Sequence, residues 1–339
     1  MSGQAGDRVI PPRPTEEALI ARYFAPLAGP GADALRDDAA SLTPSPGHDL
    51  VLTADAIVSG IHYFPDDPPE SLARKALGVN LSDIAAKGAV PRGFLLTLAL
   101  PADWTEAWLA RFAEGLGQAS RASGCPLLGG DTVKSGGPPL IGVTAIGEVP
   151  AGRIVRRATA RVGDRICVSG TIGDAALGLR MRLDPDAGWV CALDAVSRAH
   201  LADRYLHPQA RLGLADAVRL FATASMDVSD GLAGDLAKML AGAGATAEID
   251  ATAVPLSPAA ARAIASRPDL FDVAVTGGDD YEILCTVSPE SCDAFRAAAA
   301  AAGVPVSVVG TVGSGSGLPG FRDAEGAARV FAAGAFSHF

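Results

Sequence analysis

Aspartate recurs in this chain at the ends of apolar segments, and this pattern constrains the possible folds more than any other feature of the sequence. In residues 76–88, apolar side chains recur at helical spacing on one stripe: Leu77, Leu81 and Ile84. The other stripe is polar: Asn80, Asp83 and Lys87. Small neighbouring residues allow this helix to pack closely on both sides. An exposed polar face is the ordinary explanation of a helical aspartate, and a cation partner is the other.

Four further segments place aspartate at a turn beside small residues: 36–40, 52–55, 128–132 and 226–231. Hydroxyl side chains accompany these aspartates, and most of them have no His or Cys nearby. Hard oxygen ligands of this kind suit Mg²⁺ or Ca²⁺ better than zinc, and the regular spacing of an EF-hand is absent. Several aspartates converging from separate segments fit Mg²⁺ held jointly by the protein and by phosphate oxygens. Helix capping is the alternative for Asp174 and Asp230, since each precedes a predicted helix.

The length of 339 residues exceeds what one compact core usually holds, so we expect two domains of α+β type, built from mixed α/β layers. An Arg-rich, apolar-poor stretch at 150–163 marks the expected boundary. The expected parts are an N-terminal arm with a short helix (1–24), a sheet domain (25–150), an α/β domain (151–320) and a docked tail (321–339).

Two local predictions depend on short patterns. The apolar run at 272–276 is predicted to be a strand. The turn at 170–173 separates a predicted strand from a predicted helix, so its backbone N–H groups could cradle a phosphate, although such turns are common. Neither a P-loop nor the kinase H-R-D and D-F-G signatures are present in the sequence. Local sequence favours solvent exposure for His62.

Composition excludes several classes of protein. The net charge of −10 argues against a nucleic-acid binder that uses a general basic surface. The five cysteines form no C-x-x-C pair, which favours buried free thiols in a reducing compartment. We see no secretory leader and no apolar run as long as a membrane span, so a cytoplasmic protein without membrane association is expected.

The ordered set of motifs resembles the thiamine-monophosphate kinases, which belong to the aminoimidazole-ribonucleotide-synthetase-like ATP-binding superfamily. The resemblance runs from about residue 23 to residue 312, and the closing S-H-F is also similar to the family's tail. The motifs that carry it are R-D-D-A-A, T-A-D-x-x-V-S-G-x-H, K-A-L-G-V-N-L-S-D, L-G-G-D-T, V-S-G-T-I-G-D-A-A-L-G-L, D-V-S-D-G-L and G-G-D-D-Y-E.

The resemblance implies transfer of the γ-phosphoryl group of ATP to thiamine monophosphate by direct in-line attack, with several Mg²⁺ ions between the phosphate groups. It also implies a homodimer whose N-terminal sheets pair into a barrel. The acceptor is already an anionic phosphate oxygen, so no strong general base is required.

Site residues carried over by motif fall into four sets. The metal ligands would be Asp38, Thr53, Ala54 (through its backbone), Asp55, Asp83, Asp131, Asp227 and Asp230. The ATP contacts would be Gly130, Asp131, Arg157 and Ser229. The contacts to thiamine monophosphate would be His62, Asp279 and a tail aromatic, for which Phe336 is preferred to Phe331. Asp83, Asp131 and Asp230 would carry the catalytic role.

The chain departs from the family pattern in two places. Leu35 and Arg36 replace glycines that often precede the first aspartate pair, and Asp279 stands where relatives can carry Glu. Two other functions stay open: another ATP-using member of the superfamily, such as an aminoimidazole ribonucleotide synthetase, and a non-catalytic nucleotide-binding regulator.

Overall fold

A computed structural model of the chain describes residues 14–329 and residue 331. The first sheet has four strands in the spatial order β1-β4-β2-β3. Strand β4 is antiparallel to both of its neighbours, and β3 is parallel to β2. The strands are β1 (His48–Val58), β2 (Val90–Leu100), β3 (Leu127–Lys134) and β4 (Leu140–Pro150).

Two long helices cover one face of this sheet, α2 (Pro69–Ala86) and α3 (Glu106–Ser123), after a four-residue helix α1 (Glu16–Leu19). Helix α2 has proline at its first position, where the missing N–H costs nothing. The N-cap of helix α3 is Thr105, whose side chain accepts the Trp108 N–H, and the C-cap is Gly124 in the left-handed conformation, φ 64°. The opposite face of the sheet stays open and exposes apolar side chains: Leu50, Leu52, Leu95 and Val133.

The second sheet has seven strands in the order β11-β10-β7-β9-β5-β8-β6. They are β5 (Arg165–Ser169), β6 (Ala222–Asp227), β7 (Ala245–Asp250), β8 (Ile283–Val287), β9 (Val306–Ser314), β10 (Gly320–Arg322) and β11 (Ala328–Arg329). The helices of this half are α4 (Asp174–Leu183), α5 (Gly188–Ala192), α6 (Ala195–Leu206), α7 (Ala215–Phe221), α8 (Leu232–Ala243), α9 (Pro258–Ser266), α10 (Leu270–Thr276) and α11 (Cys292–Ala301). The prediction of mixed α/β layers is confirmed.

Helix α2 lies between the two sheets. It contacts β1 and β4 on one side and β6 and β8 on the other. Its Leu77 and Leu81 pack in the core of the first sheet, and its Ala85 and Ala86 pack against β8 of the second sheet. The small residues of this helix therefore allow both sheets to approach it, as the sequence predicted.

Three local features differ from, or fall outside, the predictions. The strand predicted at 272–276 is wrong: these residues belong to α10, because a short apolar run alone does not distinguish a strand from a buried helix. The N-terminal arm up to residue 13 and the tail aromatic Phe336 lie outside the described residues. No helix in the described part of the chain is long and apolar enough to cross a bilayer.

Candidate functional site

The polar stripe of α2 docks on β1. The Thr53 hydroxyl donates to Asp83 Oδ2 at 2.5 Å, and the Asp55 N–H donates to Asn80 Oδ1 at 2.9 Å. Asn80 is fully buried, and its Nδ2 donates back to the Ala76 carbonyl oxygen. The pairing fixes two predicted metal ligands of β1 beside the aspartate of α2, so the alternative of an exposed polar helix face is wrong.

A second acidic segment begins at the end of β6. Asp227 is buried, and its pKa is raised first by burial and next by the charge of Asp83. The pKa of Asp55 is also raised, first by partial burial and next by the negative charges of Asp83 and Asp230. The structure therefore brings four of the predicted aspartates close enough for their charges to oppose one another, an arrangement that a cation would relieve.

The donor set fits Mg²⁺ in its chemistry, since the converging side chains offer carboxylate and hydroxyl oxygens. Within residues 14–329 and 331, no group of three or more His, Cys, Asp or Glu side chains lies together as a ready metal site. Phosphate oxygens or water would therefore have to complete the coordination.

Asp230 does not cap a helix, although it precedes α8. The N-cap of α8 is Gly231, without a side-chain hydrogen bond. The Asp230 carboxylate instead pairs with Lys238, and its N–H donates to Asp235 Oδ2 at 2.8 Å. Asp174 likewise starts α4 without a capping bond, and it accepts hydrogen bonds from Thr171 and Ser257. The capping alternative is wrong for both residues.

Two clefts meet at Ser229 and Asp230, which line both of them. The smaller cleft has a volume of about 410 Å³ and combines acidic and basic residues: Asp83, Asp227, Asp235, Lys87, Arg156, Arg157 and Lys238. The larger has a volume of about 810 Å³ and is lined on its polar side by Asp55, His62, Asp272 and Asp279. Residues that were predicted in distant segments of the chain thus line two clefts that join at Ser229 and Asp230.

Backbone hydrogen bonds join the two loops that carry these residues. The Asp279 N–H donates to the Ser229 carbonyl oxygen at 2.9 Å, and the Tyr281 N–H donates to Val228 at 2.8 Å. Asp279 itself adopts a left-handed conformation, φ 73°. A Cβ at the preceding residue, Gly278, would collide with the Ser229 carbonyl oxygen, so this close approach requires glycine there.

His62 is half-buried in the wall of the larger cleft, and the solvent exposure favoured by its local sequence is wrong. Its Nδ1 accepts the Val58 N–H at 3.1 Å, which leaves the proton of the neutral ring on Nε2. Lys75, which the sequence reasoning missed, donates to the His62 carbonyl oxygen and to Asp279 Oδ2. Its only signal was its place at the start of the K-A-L-G-V-N-L-S-D motif.

The turn at 170–173 is not a free phosphate cradle. The Gly173 N–H donates to Asp280 Oδ2 at 2.7 Å, and the Ala175 N–H donates to Asp280 Oδ1 at 3.4 Å. The Gly170 N–H donates to the Pro305 carbonyl oxygen. A buried carboxylate of the chain therefore already occupies the position at the start of α4 that an anion would take.

Asp131 and Gly130 do not reach the other acidic residues within one chain. They lie on β3, whereas Thr53 and Asp55 lie on β1 at the opposite edge of the sheet. Three steps between neighbouring strands separate these edges by roughly 14 Å. By the strand register, Asp131 also shares the open face with Thr97, whereas Thr53 faces α2.

The remaining predicted residues divide between the tail and the surface. Phe331 lines the larger cleft and packs edge to face on Phe321, with ring centroids 4.9 Å apart. Ala54 is exposed on the open face of β1, and Asp38 is exposed in the loop before that strand.

Comparison with known proteins agrees with these observations. Family models match both parts of the chain: the N-terminal domain of AIR synthase related proteins over residues 36–149, and the C-terminal domain over residues 161–320. A thiamine-monophosphate kinase of Caulobacter vibrioides is 42% identical over 313 residues, covering 91% of this chain and 87% of the relative.

Solved structures show the same relationship. The crystal structure of thiamine-monophosphate kinase from Stenotrophomonas maltophilia K279a matches with a TM-score of 0.78 and 37% identity, over 87% of this chain and 91% of that one. AaThiL complexed with AMPPCP and TMP matches with a TM-score of 0.76 and 29% identity, over 95% and 94% of the two chains. The chain therefore belongs to the thiamine-monophosphate kinase family.

Proposed function

We propose that this protein transfers the γ-phosphoryl group of ATP to the phosphate of thiamine monophosphate, giving thiamine diphosphate and ADP. The observation that carries the proposal is the junction at Ser229 and Asp230, where a cleft of mixed charge meets a second, larger cleft. Two phosphorylated substrates, one in each cleft, would meet end to end at this junction. The names and bound ligands of the relatives support the same reaction.

The smaller cleft suits the triphosphate of ATP. Arg157 and Lys87 supply positive charge, and burial lowers the pKa of Lys87, while Asp83 and Asp227 oppose that shift. The carboxylates Asp83, Asp227 and Asp230 would hold Mg²⁺, together with Thr53 and Asp55 on the adjoining strand.

The larger cleft suits the thiamine group, which is an aromatic cation. Asp55 adds negative charge to its wall, and Asp279 offers a carboxylate oxygen, Oδ1, that its ion pair with Lys75 does not engage. Phe331 offers an aromatic face, and aromatic faces attract organic cations. His62 also lines this cleft, and its ring is held by the hydrogen bond that its Nδ1 accepts from the Val58 N–H. We therefore assign Phe331 to the substrate, while the preference for Phe336, which lies outside the described residues, stays a prediction.

Catalysis would depend on positioning and on charge, since the acceptor oxygen is already anionic. Bound Mg²⁺ would reduce the repulsion between the two phosphate groups. Arg157 and Ser229 would orient the triphosphate, and the loop pairing between Ser229 and Asp279 would hold the two substrate sites in register.

We also infer that the functional unit is a homodimer. The open face of the first sheet exposes Leu52 (64%) and Val133 (42%), an apolar surface suited to burial. If the sheets of two copies close into a barrel, edge strand β3 of one chain would lie next to edge strand β1 of the other. Asp131 of one copy would then lie one strand away from Thr53 and Asp55 of the second, instead of three strands away as in the single chain.

The direct test is ADP release from MgATP by the purified protein, with and without thiamine monophosphate, and with the product identified. Release that depends on the acceptor, matches thiamine diphosphate mole for mole and stops with a chelator is the expected result. ATP binding without turnover would favour the regulator. ADP release with formylglycinamidine ribonucleotide, and not with thiamine monophosphate, would favour the aminoimidazole ribonucleotide synthetase activity.

A further inference from the structure

The Lys75 side chain is charged yet only 2% exposed. Its Nζ donates to Asp279 Oδ2 at 2.7 Å, to the His62 carbonyl oxygen at 3.1 Å and to the Tyr205 carbonyl oxygen at 3.2 Å. These bonds engage all three donors of an ammonium group. The same Nζ lies 4.2 Å from the centroid of the Tyr205 ring. Such a group has no donor left for a ligand, so its effect is to fix the positions of its partners.

The partners of Lys75 come from three separate segments: the loop after β1, the end of α6, and the loop before β8. Two of them, His62 and Asp279, line the larger cleft, which Lys75 itself does not line. Lys75 thus connects two residues of the cleft wall through one ammonium group.

Both cleft residues are held in one orientation. Lys75 holds the backbone of His62, while Val58 holds its ring nitrogen Nδ1. Lys75 also holds Oδ2 of Asp279, whose left-handed backbone is unfavourable for a residue with a Cβ. No hydrogen bond engages Asp279 Oδ1 within the described residues, and 29% of this side chain is exposed. One carboxylate oxygen is therefore fixed by the protein, and the other is available to a ligand.

We propose that Lys75 is a positioning residue that sets His62 and Asp279 for the acceptor substrate, an aromatic cation carrying a phosphate. This inference rests on the proposed function. Without Lys75, the Asp279 carboxylate and the His62 loop would have to become ordered during binding, which weakens affinity. The ATP cleft shares no lining residue with this set, so Lys75 acts on the acceptor and not on the nucleotide.

The test is steady-state kinetics of Lys75→Met, with thiamine monophosphate and ATP varied separately. Loss of a charged hydrogen bond and of preorganisation should raise KM for thiamine monophosphate about tenfold, with KM for ATP within about twofold of the wild type. Asp279→Asn should also raise KM for thiamine monophosphate. In the double variant, KM for thiamine monophosphate should rise by less than the product of the two single increases, because Lys75 and Asp279 act through one ion pair.

Arg182→Met is the matched control. Arg182 also joins α4 to the loop after β1, through ion pairs to Asp66 and Asp67, and its guanidinium carbon lies 4.3 Å from the centroid of the Phe64 ring. It touches neither His62 nor Asp279. This variant should lower the thermal midpoint and leave the ratio of the two KM values unchanged.

Lys75→Gln, which keeps an N–H donor, provides a second variant in case Lys75→Met does not fold. Calorimetry of thiamine monophosphate binding, with a non-hydrolysable ATP analogue present, measures affinity without turnover. An unchanged affinity and KM for thiamine monophosphate in a folded Lys75 variant would overturn the inference, as would an equal rise in both KM values. A wild-type protein that binds thiamine monophosphate without turning it over would contradict the proposed function alone, and calorimetry would still decide the role of Lys75.

Discussion

Replacement of Glu282 by glutamine should destabilise the protein strongly, because this buried carboxylate is the shared partner of two arginines. Arg204 Nη2 donates to Glu282 Oε1 at 3.0 Å, and Arg211 Nε donates to Oε2 at 2.7 Å. The Ser169 hydroxyl donates to Oε2 at 2.6 Å. The Glu282 side chain is 0% exposed, and those of Arg204 and Arg211 are 6% and 18% exposed.

The magnitude follows from the charges that the change leaves behind. Glutamine keeps the size of the side chain but leaves both guanidinium groups without a buried counter-charge. Loss of one partner from a buried ion pair costs about 3–5 kcal/mol of the free energy of unfolding. For a domain of this size, each kcal/mol lowers the midpoint of thermal unfolding by about 2–4 °C, so a fall of roughly 6–20 °C is expected.

The assay is thermal unfolding followed by circular dichroism, with Glu248→Gln as the control. Glu248 forms an ion pair with Arg322 at the surface, where both side chains are more than half exposed. Such a pair contributes at most about 1 kcal/mol. If Glu282→Gln unfolds within about 3 °C of the wild type, or no lower than the control, the reasoning about the buried charge is wrong.

Three further predictions concern the site. Mixed dimers of Asp83→Asn with Asp131→Asn should regain about half of the wild-type activity, because one of the two shared sites is then intact; activity no higher than that of either parent would contradict the shared site. Phe331→Ala should raise KM for thiamine monophosphate about fivefold and spare KM for ATP, since one cation–π contact of about 1 kcal/mol is lost. Arg157→Met should do the reverse, raising KM for ATP about tenfold through loss of a charged contact to phosphate.

Matched controls exist for the two kinetic predictions. Leu318 is 83% exposed and does not line the clefts, so Leu318→Ala should leave both KM values unchanged. Arg161 is exposed in the same basic stretch as Arg157 but does not line the smaller cleft, so Arg161→Met should not alter KM for ATP. An equal effect of a variant and its control would show that the residue is not at the assigned site.

Much of the site could be predicted because its residues have a local signature. Asp83 and Asp227 each sit where an apolar periodicity meets small residues, and the structure brings them together through α2 and the end of β6. The small residues of α2 likewise predicted that this helix packs closely on both of its sides. Local periodicity is enough here, because each aspartate is fixed by the element that carries it.

Other features depend on topology, which no local pattern reveals. Asp131 lies within an apolar strand, as Asp55 does, yet the order β1-β4-β2-β3 puts the two at opposite edges. The carboxylate of Asp280 fills the turn before α4 from more than one hundred residues away along the chain. Lys75 was missed because lysine is usually exposed, and its three acceptors come together only in the fold. The predicted domain limits stay a prediction.

We propose that phosphoryl transfer takes place where the two clefts meet, at Ser229 and Asp230. The most direct measurement is the rate of thiamine diphosphate formation from MgATP by Asp230→Asn, compared with Asp293→Asn, whose carboxylate is exposed on α11. We expect Asp230→Asn to lower kcat about 100-fold, as loss of a charged group at the reacting phosphates typically does, and Asp293→Asn to keep the wild-type rate. An Asp230→Asn enzyme that forms thiamine diphosphate at the wild-type rate would contradict the claim.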